Sequence, residues 1–538
     1  MAFIRVQNAK RDDDRNVIGG TAAITVSSYV SDQKYHSKQT VRERLGTVLW
    51  MPPDGKSGIF QSPTRGLIGY DSNRDEFFDV NPNDERIPVA ISHLKPVRHV
   101  VFGDTYTLLE FMKSRGLLEL LRGISGKGVF YERLIGHICH GILRDSSRIS
   151  CDDFLEKSFL LHLFTETSAN SFSTDTPFFT QMADDRIKVL FFQSLIKLMK
   201  SLYPEFGSYC YVDSTPLPND VEGNPFNALC CHGTNSCSNQ TRLVLILDEH
   251  TGIPVWFSLI PGNILDLSTL SNVKEDVYKI LKVTISSLVL DAGYASKENL
   301  MVFADSEKFG HLLLRMPAKN GYPFKTLYHR MKGKMNRGKY IFVRRGHTYF
   351  GDKEEVKVFG KHFFAFVYVD QENALSGFHN YLDNHSTDYE ALLNRDKDYY
   401  TVKFGYFVLL SNTDNSPEGT LDEYFGRTDI ESFFKTSKEH LGMLPLRKWS
   451  ETTIRGKLLF DIISTIVYLE LRKSLKESTI SVSSMIGKTQ SLMCLCDAKG
   501  NVTVETPTKG ARLVMDQLDI SRSYNKTIAW YKKRYLLM

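Results

Sequence analysis

"TRLVLILDEHTGIPVWFSLI", residues 241–260, holds two apolar runs on either side of the turn sequence D-E-H-T-G. Runs of this length and composition around turn residues predict two neighbouring strands. A short strand, "SYCYVDS" at 208–214, comes before them. The segments after them alternate between helix and strand: "LSTLSNVKEDVYKILKV" (267–283), "ISSLVLDAG" (285–293), "SKENLMVFADS" (296–306) and "HLLLRM" (311–316). This order predicts an α/β fold in which a mixed sheet is flanked by helices.

The composition predicts a soluble globular protein with more than one domain. The chain has 538 residues and 42% hydrophobic content, enough for substantial cores and for roughly two to four domains. No apolar run reaches the ~18 residues that a bilayer span needs. The N-terminus, "MAFIRVQNAKRDDDRN", lacks the apolar region of a signal peptide. We therefore expect a cytoplasmic protein with no membrane partner.

Two regions precede the predicted sheet. Residues 1–100 alternate β-branched residues with turn signals, which predicts a small, mostly β module. Residues 101–205 place apolar residues at helical intervals, so we predict a helical region there. Between two of its helices, "GISGKG" at 123–128 fits either a DNA-reading helix-turn-helix or plain packing in a bundle. Both regions are candidates for DNA binding.

The eight cysteines show no regular spacing, which fits a reduced compartment better than a disulfide framework. Cys230, Cys231, His232 and Cys237 resemble half of a zinc site, but no second pair of ligands answers them. Bound zinc is therefore the weaker interpretation of this cluster.

Positive charge is concentrated in one part of the chain. The net charge of the whole chain is only +5, which does not identify a nucleic-acid partner. Residues 315–361, however, carry thirteen Lys or Arg against three acids, a net charge of +10. This local field predicts DNA contacts. The candidates are Arg330, Lys332, Lys334, Arg337, Arg344 and Arg345.

Two aspartates stand where predicted strands end. Asp213 closes "YCYVD" and Asp291 closes "SSLVLD". Burying a charge at such a place is costly unless the charge is paired or binds a metal, and strand ends are where α/β folds place their sites. Each aspartate also fits a simpler role as the cap of the following turn.

The third acid comes from "YFGRTDIESFFKTSK", residues 424–438. If this stretch is helical, Tyr424, Arg427, Glu431 and Lys438 lie on one stripe of the helix. The alternative is an exposed helix face with a weak Arg427–Glu431 pair. Three carboxylates brought together would suit Mg²⁺, with Mn²⁺ as a substitute, and two such ions can promote phosphodiester transfer. Arg427 and Lys438 would then hold phosphates, with Tyr424 as a further contact.

With these residues together, the chain resembles the bacterial insertion-sequence transposases of the DDE class, in the subgroup with a Y-x2-R-x3-E-x6-K signature. Tyr424, Arg427, Glu431 and Lys438 match this spacing at every position. "YVDST" around Asp213, "PGNILD" at 261–266 and "LVLDAGY" around Asp291 are similar to the other blocks of the group. The resemblance covers about 200–475.

The resemblance implies a ribonuclease-H-like catalytic domain with Asp213 on the first strand, Asp291 on the fourth and Glu431 on a late helix. The core would comprise 206–316 and 419–480, interrupted by a β-rich basic insertion at 317–418 and followed by a tail, 481–538, with a candidate role in dimerisation. In relatives the insertion handles a flipped base, often with a tryptophan. Here the interval has none, so we expect an aromatic residue such as Tyr340, Phe342, Tyr349 or Phe350 to take this role.

The resemblance also implies partners and a reaction. The partners are double-stranded DNA, as terminal inverted repeats and as target, and a second copy of the chain in a synaptic homodimer. The expected location is a bacterial or archaeal cytoplasm, on the nucleoid when active. No phosphate-binding loop is present, because Val482 stands where the pattern needs Gly, so we expect no nucleotide cofactor. A nuclease that never joins strands, and a non-catalytic DNA-binding descendant, are the alternatives.

Overall fold

The computed structural model describes residues 2–29, 37–62, 65–81, 84, 86, 99–144, 151–219, 221, 223–230, 238–262, 277–304, 310–334, 337–384, 401–476, 479–497 and 499–537. The chain divides into two compact units. One comprises Met1–His99 with Leu495–Asn501, and the other Val100–Cys494 with Val502–Met538.

The first unit is built on a six-stranded antiparallel sheet in which each strand pairs with the next one along the chain. Its strands are β1 (Ala2–Arg11), β2 (Val17–Tyr29), β3 (Ser37–Trp50), β4 (Ser57–Ser62), β5 (Gly66–Asp71) and β6 (Glu76–Phe78). Ile24, Leu45, Phe60 and Tyr70 are fully buried in one apolar core. A sheet needs an apolar core to be stable on its own, so this core explains why the sheet forms a compact unit.

A helical region follows the short strand β7 (His99–Val101). Its described helices are α1 (Gly103–Ser114), α2 (Leu117–Ser125), α3 (Val129–Leu143), α4 (Cys151–Lys157), α5 (Leu160–Leu163), α6 (Glu166–Asn170), α7 (Asp175–Met182) and α8 (Asp185–Leu202). Every residue of α3 from Phe130 to His140 is buried. A recognition helix must expose one face to enter the major groove. The structure therefore favours bundle packing for the "GISGKG" corner.

Apart from the short strand at Ala228–Cys230, the central sheet of the second unit begins with elements that the sequence predicts. They are β8 (Tyr209–Pro218), β9 (Ala228–Cys230), β10 (Ser238–Asp248), β11 (Pro254–Pro261), β12 (Ser287–Leu290), the helix α9 (Lys297–Phe303) and β13 (His311–Arg315). The spatial order is β11-β10-β8-β12-β13, and β9 pairs with β10. The first three strands are antiparallel, whereas β12 runs parallel to β8 and β13 runs parallel to β12. The expected helix at 267–283 is described only in its last part, where Val277–Leu281 forms a π-helical turn.

The basic stretch adds strands to this same sheet. Its elements are α10 (Phe324–Lys332), β14 (Ile341–Arg344), β15 (His347–Val358), β16 (Lys361–Asp370), α11 (Gln371–Asn384) and β17 (Tyr406–Ser411). β17 pairs with both β13 and β16, so the order continues as β13-β17-β16-β15-β14. The β-rich region of the sequence is thus an extension of the central sheet, because backbone pairing across β17 is continuous.

The remaining elements are mostly helical. They are α12 (Pro417–Gly426), α13 (Thr428–Lys435), a π-helical turn (Thr436–His440), α14 (Glu451–Lys476), α15 (Val482–Thr489), β18 (Met493–Cys496), β19 (Val502–Val504), α16 (Lys509–Gln517) and α17 (Ile528–Lys532). The tail packs on its own chain: Arg534 and Tyr535 both bond to the Glu110 carboxylate of α1. None of the helices in the described residues has the length and hydropathy that a bilayer crossing requires.

The five described free cysteines, Cys139, Cys151, Cys210, Cys494 and Cys496, are all buried. Cys231, His232 and Cys237 of the zinc interpretation lie outside the described residues.

The end of α12 lies directly on β8. A Cβ atom added at Gly426 would fall 1.8 Å from the phenolic oxygen of Tyr211, and Tyr211 is only 1% exposed. The helix can approach the strand this closely only because Gly426 has no side chain. This contact fixes the height of the α12–α13 junction above the sheet.

We predict that Gly426→Ala destabilises the protein by about 1–3 kcal/mol, because the buried phenol of Tyr211 has no room to move. A thermal melt of the variant should show a lower midpoint than that of the wild type. Gly487→Ala is the control, since Gly487 lies within α15 and has nothing within 4 Å of its added Cβ. Equal midpoints for the two variants would contradict the close packing of α12 on β8.

Candidate active site

The pairing of two parallel strands brings Asp213 and Asp291 side by side. Leu290, the last residue of β12, is in register with Val212 of β8. The next residue on each strand is an aspartate, and neighbouring strands lie about 4.8 Å apart. Residues in register on parallel strands point to the same face. The two acids are therefore neighbours across the sheet although 78 positions of sequence separate them.

The α12–α13 junction supplies the partners of these aspartates. The Arg427 guanidinium donates to Asp213 Oδ2 at 2.9 Å and to Glu431 Oε1 at 3.4 Å. The Tyr424 hydroxyl donates to Asp291 Oδ1 at 3.4 Å. The structure thus brings Asp213, Asp291 and Glu431 around one guanidinium.

Arg427 is the electrostatic centre of this group. Its side chain is 14% exposed, that of Asp213 is 19% exposed and that of Glu431 is 59% exposed. Burial acts to lower the pKa of the Arg427 guanidinium, yet the net shift is upward, because Tyr424 and the three carboxylates stabilise its charged form. Burial also raises the pKa of the Tyr424 phenol, so this hydroxyl keeps its proton. The site therefore combines a fixed cation with a neutral donor.

Lys438 reaches the same strand from another direction. Its Nζ donates to Thr215 Oγ1 and, at 3.1 Å, to the Pro216 carbonyl, both on β8. Burial lowers the pKa of the Lys438 ammonium. Lys438 thus lies two to three residues beyond Asp213 along the strand.

The four signature residues do not lie on one straight helix. α12 ends at Gly426, α13 begins at Thr428, and the backbone from Thr436 to His440 forms a π-helical turn. Each interruption rotates the following side chains away from the stripe that a continuous helix would give. The spacing predicted that these residues lie close together. Their contacts, however, are with the sheet below them and do not follow from helix periodicity.

Two arginines of the site were not singled out from the sequence. Arg315 ends β13, whose Leu314 is in register with Leu290 of β12, so Arg315 stands beside Asp291. Its positive charge also acts to lower the pKa of the Tyr424 phenol, against the upward effect of burial. Arg242 on β10 donates to Ser214 Oγ at 2.6 Å, next to Asp213. The signal for Arg315 was present, because it closes an apolar strand as Asp291 does.

Hard oxygen donors make Asp213, Asp291 and Glu431 suitable ligands for a divalent cation. Arg427 holds two of these carboxylates, so a cation and the guanidinium would neutralise the same charges. Among the described residues, the group whose ligand atoms all lie within 4.8 Å of one another is a different one, His347, Asp370 and Glu372. Asp370 accepts from His347 and from the Asn373 amide at 2.9 Å, and Glu372 accepts from the Thr348 amide at 2.7 Å. That second group caps α11 and braces β15.

Several of the predicted DNA-binding cations already have acidic partners. Arg330 pairs with Glu354, Lys334 with Asp352 at 2.6 Å and Arg344 with Asp422 at 3.2 Å. Lys332 and Arg337 are exposed. Arg345 lies over the Phe425 ring, with 5.1 Å from its guanidinium carbon to the ring centroid. Arg345 is therefore the member of this set that the structure places against the α12–α13 junction.

A cavity of about 320 Å³ adjoins the site on the side of Tyr424. Tyr349 and Arg345 also line it. Of the four aromatic candidates, Tyr349 is 3% exposed and stacks on Phe342 with ring centroids 5.9 Å apart, while Tyr340 and Phe350 are half-buried. Tyr349 is the candidate whose ring faces this cavity.

Residues 206–464 match the family described as the transposase DDE domain. All three predicted carboxylates lie inside the matched region. Among solved structures, the chain is similar to the piggyBac transposase synaptic complex with hairpin DNA, determined by cryo-electron microscopy. The sequence identity is 9% and the TM-score 0.37, over 77% of this chain and 79% of that chain. No curated protein matches the chain in sequence.

We predict that Arg427→Met destabilises the protein by about 1–3 kcal/mol, because it leaves the three carboxylates without their shared cation. Addition of Mg²⁺ or Mn²⁺ should then raise the melting midpoint more in this variant than in the wild type. Arg455→Met is the control, since Arg455 forms an exposed ion pair with Asp185. An identical response to the cations in Arg427→Met and the wild type would contradict shared neutralisation.

Proposed function

We propose that this protein is a DNA transposase of the bacterial insertion-sequence type with the Y-x2-R-x3-E-x6-K signature. Its reaction is cleavage at the terminal inverted repeats of its element and transfer of the cut strand into target DNA. The observation that carries this proposal is the convergence of Asp213, Asp291 and Glu431 on Arg427 within the transposase DDE domain. Three acids from distant parts of the chain meet at one place only if the fold selects them.

A ribonuclease-H-like core is part of the proposal, and the strand order supports it. Asp213 lies on β8, the first strand of the central sheet, and β12, which precedes Asp291, pairs parallel to it. β10 and β11 form the antiparallel hairpin on the other side of β8. Leaving aside the short β9, β12 is the fourth strand, and Glu431 lies on the late helix α13. These positions support the arrangement of the three acids that the family resemblance implies.

We assign Asp213, Asp291 and Glu431 as the ligands of two Mg²⁺ ions, for which Mn²⁺ substitutes. When bound, such ions supply activation of the attacking oxygen and stabilisation of the leaving oxygen in phosphodiester transfer. The oxygen-only ligand set and the half-buried to exposed position of these acids support the assignment.

The surrounding residues of the chain hold the DNA. Arg427 presents a guanidinium at the point where the acids meet, and a planar guanidinium suits bidentate contact with a phosphate. Lys438 provides a second positive charge farther along β8, and the protonated Tyr424 hydroxyl donates a hydrogen bond. Together they would place a phosphate against the carboxylates, with the Tyr424 hydroxyl donating to Asp291 Oδ1.

The proposed partners are the element ends, the target DNA and a second copy of the chain. The exposed Arg337 and the position of Arg345 at the α12–α13 junction support contacts between the basic stretch and DNA. Dimerisation in a synaptic complex stays a prediction, and the tail proposed for it is anchored to Glu110 of its own chain.

We predict that Asp213→Asn, Asp291→Asn and Glu431→Gln each abolish metal-dependent cleavage of DNA that bears the element ends. Binding should stay within about threefold of wild type, because loss of an acid removes no phosphate contact. Asp429→Asn is the control, an exposed acid on the same helix as Glu431. In parallel, strand joining by the wild type is measured on pre-cleaved ends. Normal cleavage without strand joining would favour a nuclease. Full cleavage by any of the three variants would remove that residue from the site.

The pairing of the basic residues leads to a second prediction. Arg337→Ala should reduce the slope of log affinity against log salt by about one, the value for one lost phosphate contact. Arg330→Ala should change the slope less, because Arg330 is already paired with Glu354. The measurement is a titration of duplex binding at several salt concentrations. Equal changes in both variants would show that the ion pair opens when DNA binds.

A further inference from the structure

A second basic cavity, of about 440 Å³, opens behind Lys438. Five Lys or Arg side chains and three histidines line it, against the two carboxylates of Asp175 and Glu439. Its walls come from the bundle helix α3, the π-helical turn with the loop after it, and α14. The lining of the cavity thus contains more cations than carboxylates.

Some of these cations are used by the fold. Arg144 pairs with Asp104 at 2.9 Å, and Lys448 pairs with Asp175 at 3.4 Å. Lys457 donates to Asp461 and to two backbone carbonyls of the loop. In the described part of the chain, no ion pair connects Lys438 or exposed Arg447 with a carboxylate. These two cations are available to an anionic ligand.

Lys438 joins this cavity to the candidate active site. It lines the cavity, and its ammonium contacts Thr215 and Pro216 on the strand that carries Asp213. A DNA strand with a phosphate at Asp213 would therefore meet Lys438 about 7–10 Å farther along β8, at the edge of the cavity. A chain of linked phosphates fits this cavity better than a single small anion, which would leave most of its volume empty.

Trp449 lies in the exposed loop beside the cavity. Its side chain is 72% exposed, the highest value of any large hydrophobic residue in the described segments. The backbone on both sides is fixed: the Lys448 carbonyl accepts from Asn219 at 3.2 Å and from Asn224 at 3.4 Å, and the Ser450 hydroxyl caps α14. A rigid loop that holds an indole in solvent, next to two cations, provides a stacking surface for a nucleobase.

We propose that the cavity and Trp449 bind one DNA strand with unpaired bases next to the cut, with its phosphates along Lys438 and Arg447 and one base stacked on Trp449. This inference rests on the proposed function and adds where the DNA strand next to the candidate active site is bound. A protein partner is less suitable as the occupant, because the residues on either side of Trp449 in the sequence are polar or charged: Arg447, Lys448, Ser450 and Glu451.

The test compares two fluorescently labelled duplexes in EDTA by anisotropy, one blunt and one with a tail of about ten thymidines, a length within the range that single-strand sites cover. Trp449→Ala should weaken binding of the tailed duplex about tenfold and of the blunt duplex less than about twofold, and Trp449→Phe should restore most of the affinity. Arg447→Ala should lower the salt slope for the tailed duplex by about 0.7. Trp530→Ala, at the other partly exposed tryptophan of the unit, is the control.

Three results would overturn the inference: wild type without affinity for the tailed duplex, Trp449→Ala with unchanged affinity, or an equal loss on both duplexes. A change in oligomeric mass by light scattering with unchanged tail binding would assign Trp449 to a protein interface instead. Because binding is measured without metal, a wild type that binds the tail through Trp449 but never cleaves would refute the proposed function alone.

Discussion

The interaction on which the candidate site depends is the ion pairing of Arg427 with Asp213 and Glu431, next to Asp291. Three carboxylates in one small region repel one another, and each loses hydration when a helix covers it. One guanidinium in their midst offsets both costs. The pKa of Arg427 lies above its usual value in spite of burial, because Tyr424 and the three carboxylates stabilise the charged guanidinium.

This electrostatic arrangement requires an accurate backbone. Asp213 and Asp291 meet because β8 and β12 pair in one register, and a slip by one residue would turn one of them to the opposite face. Arg427 reaches them because Gly426 lets the helix junction rest on Tyr211. The fold and the charges therefore support each other: a shift of the strand or of the helix would leave a partly buried carboxylate without its cation.

The sequence predicted the main strands from β8 to β13, because the hairpin at 241–260 and the aspartates at strand ends are local patterns. It was less informative for residues 424–438. Spacing alone suggested one helix stripe, whereas the backbone is interrupted at Arg427 and again at 436–440. Lys438, which contacts Thr215, lies within the second of these interruptions. Arg315 was missed as a site residue because its position beside Asp291 follows from the strand order. Strand order depends on pairings between distant segments.

Charge shows the same limit of local sequence patterns. The net +10 of residues 315–361 counts only acids inside that stretch. In the fold, Arg344 pairs with Asp422 and Lys353 with Asp414, two acids from outside it. The field of the stretch is therefore weaker than its composition indicates. Lys438, in contrast, lies outside the basic stretch. Its ammonium donates to two neutral oxygens of β8, the Thr215 hydroxyl and the Pro216 carbonyl. A cation whose partners are neutral has no acid that offsets its charge, so we expect the path of a DNA strand to follow from the pairing of the cations rather than from their number.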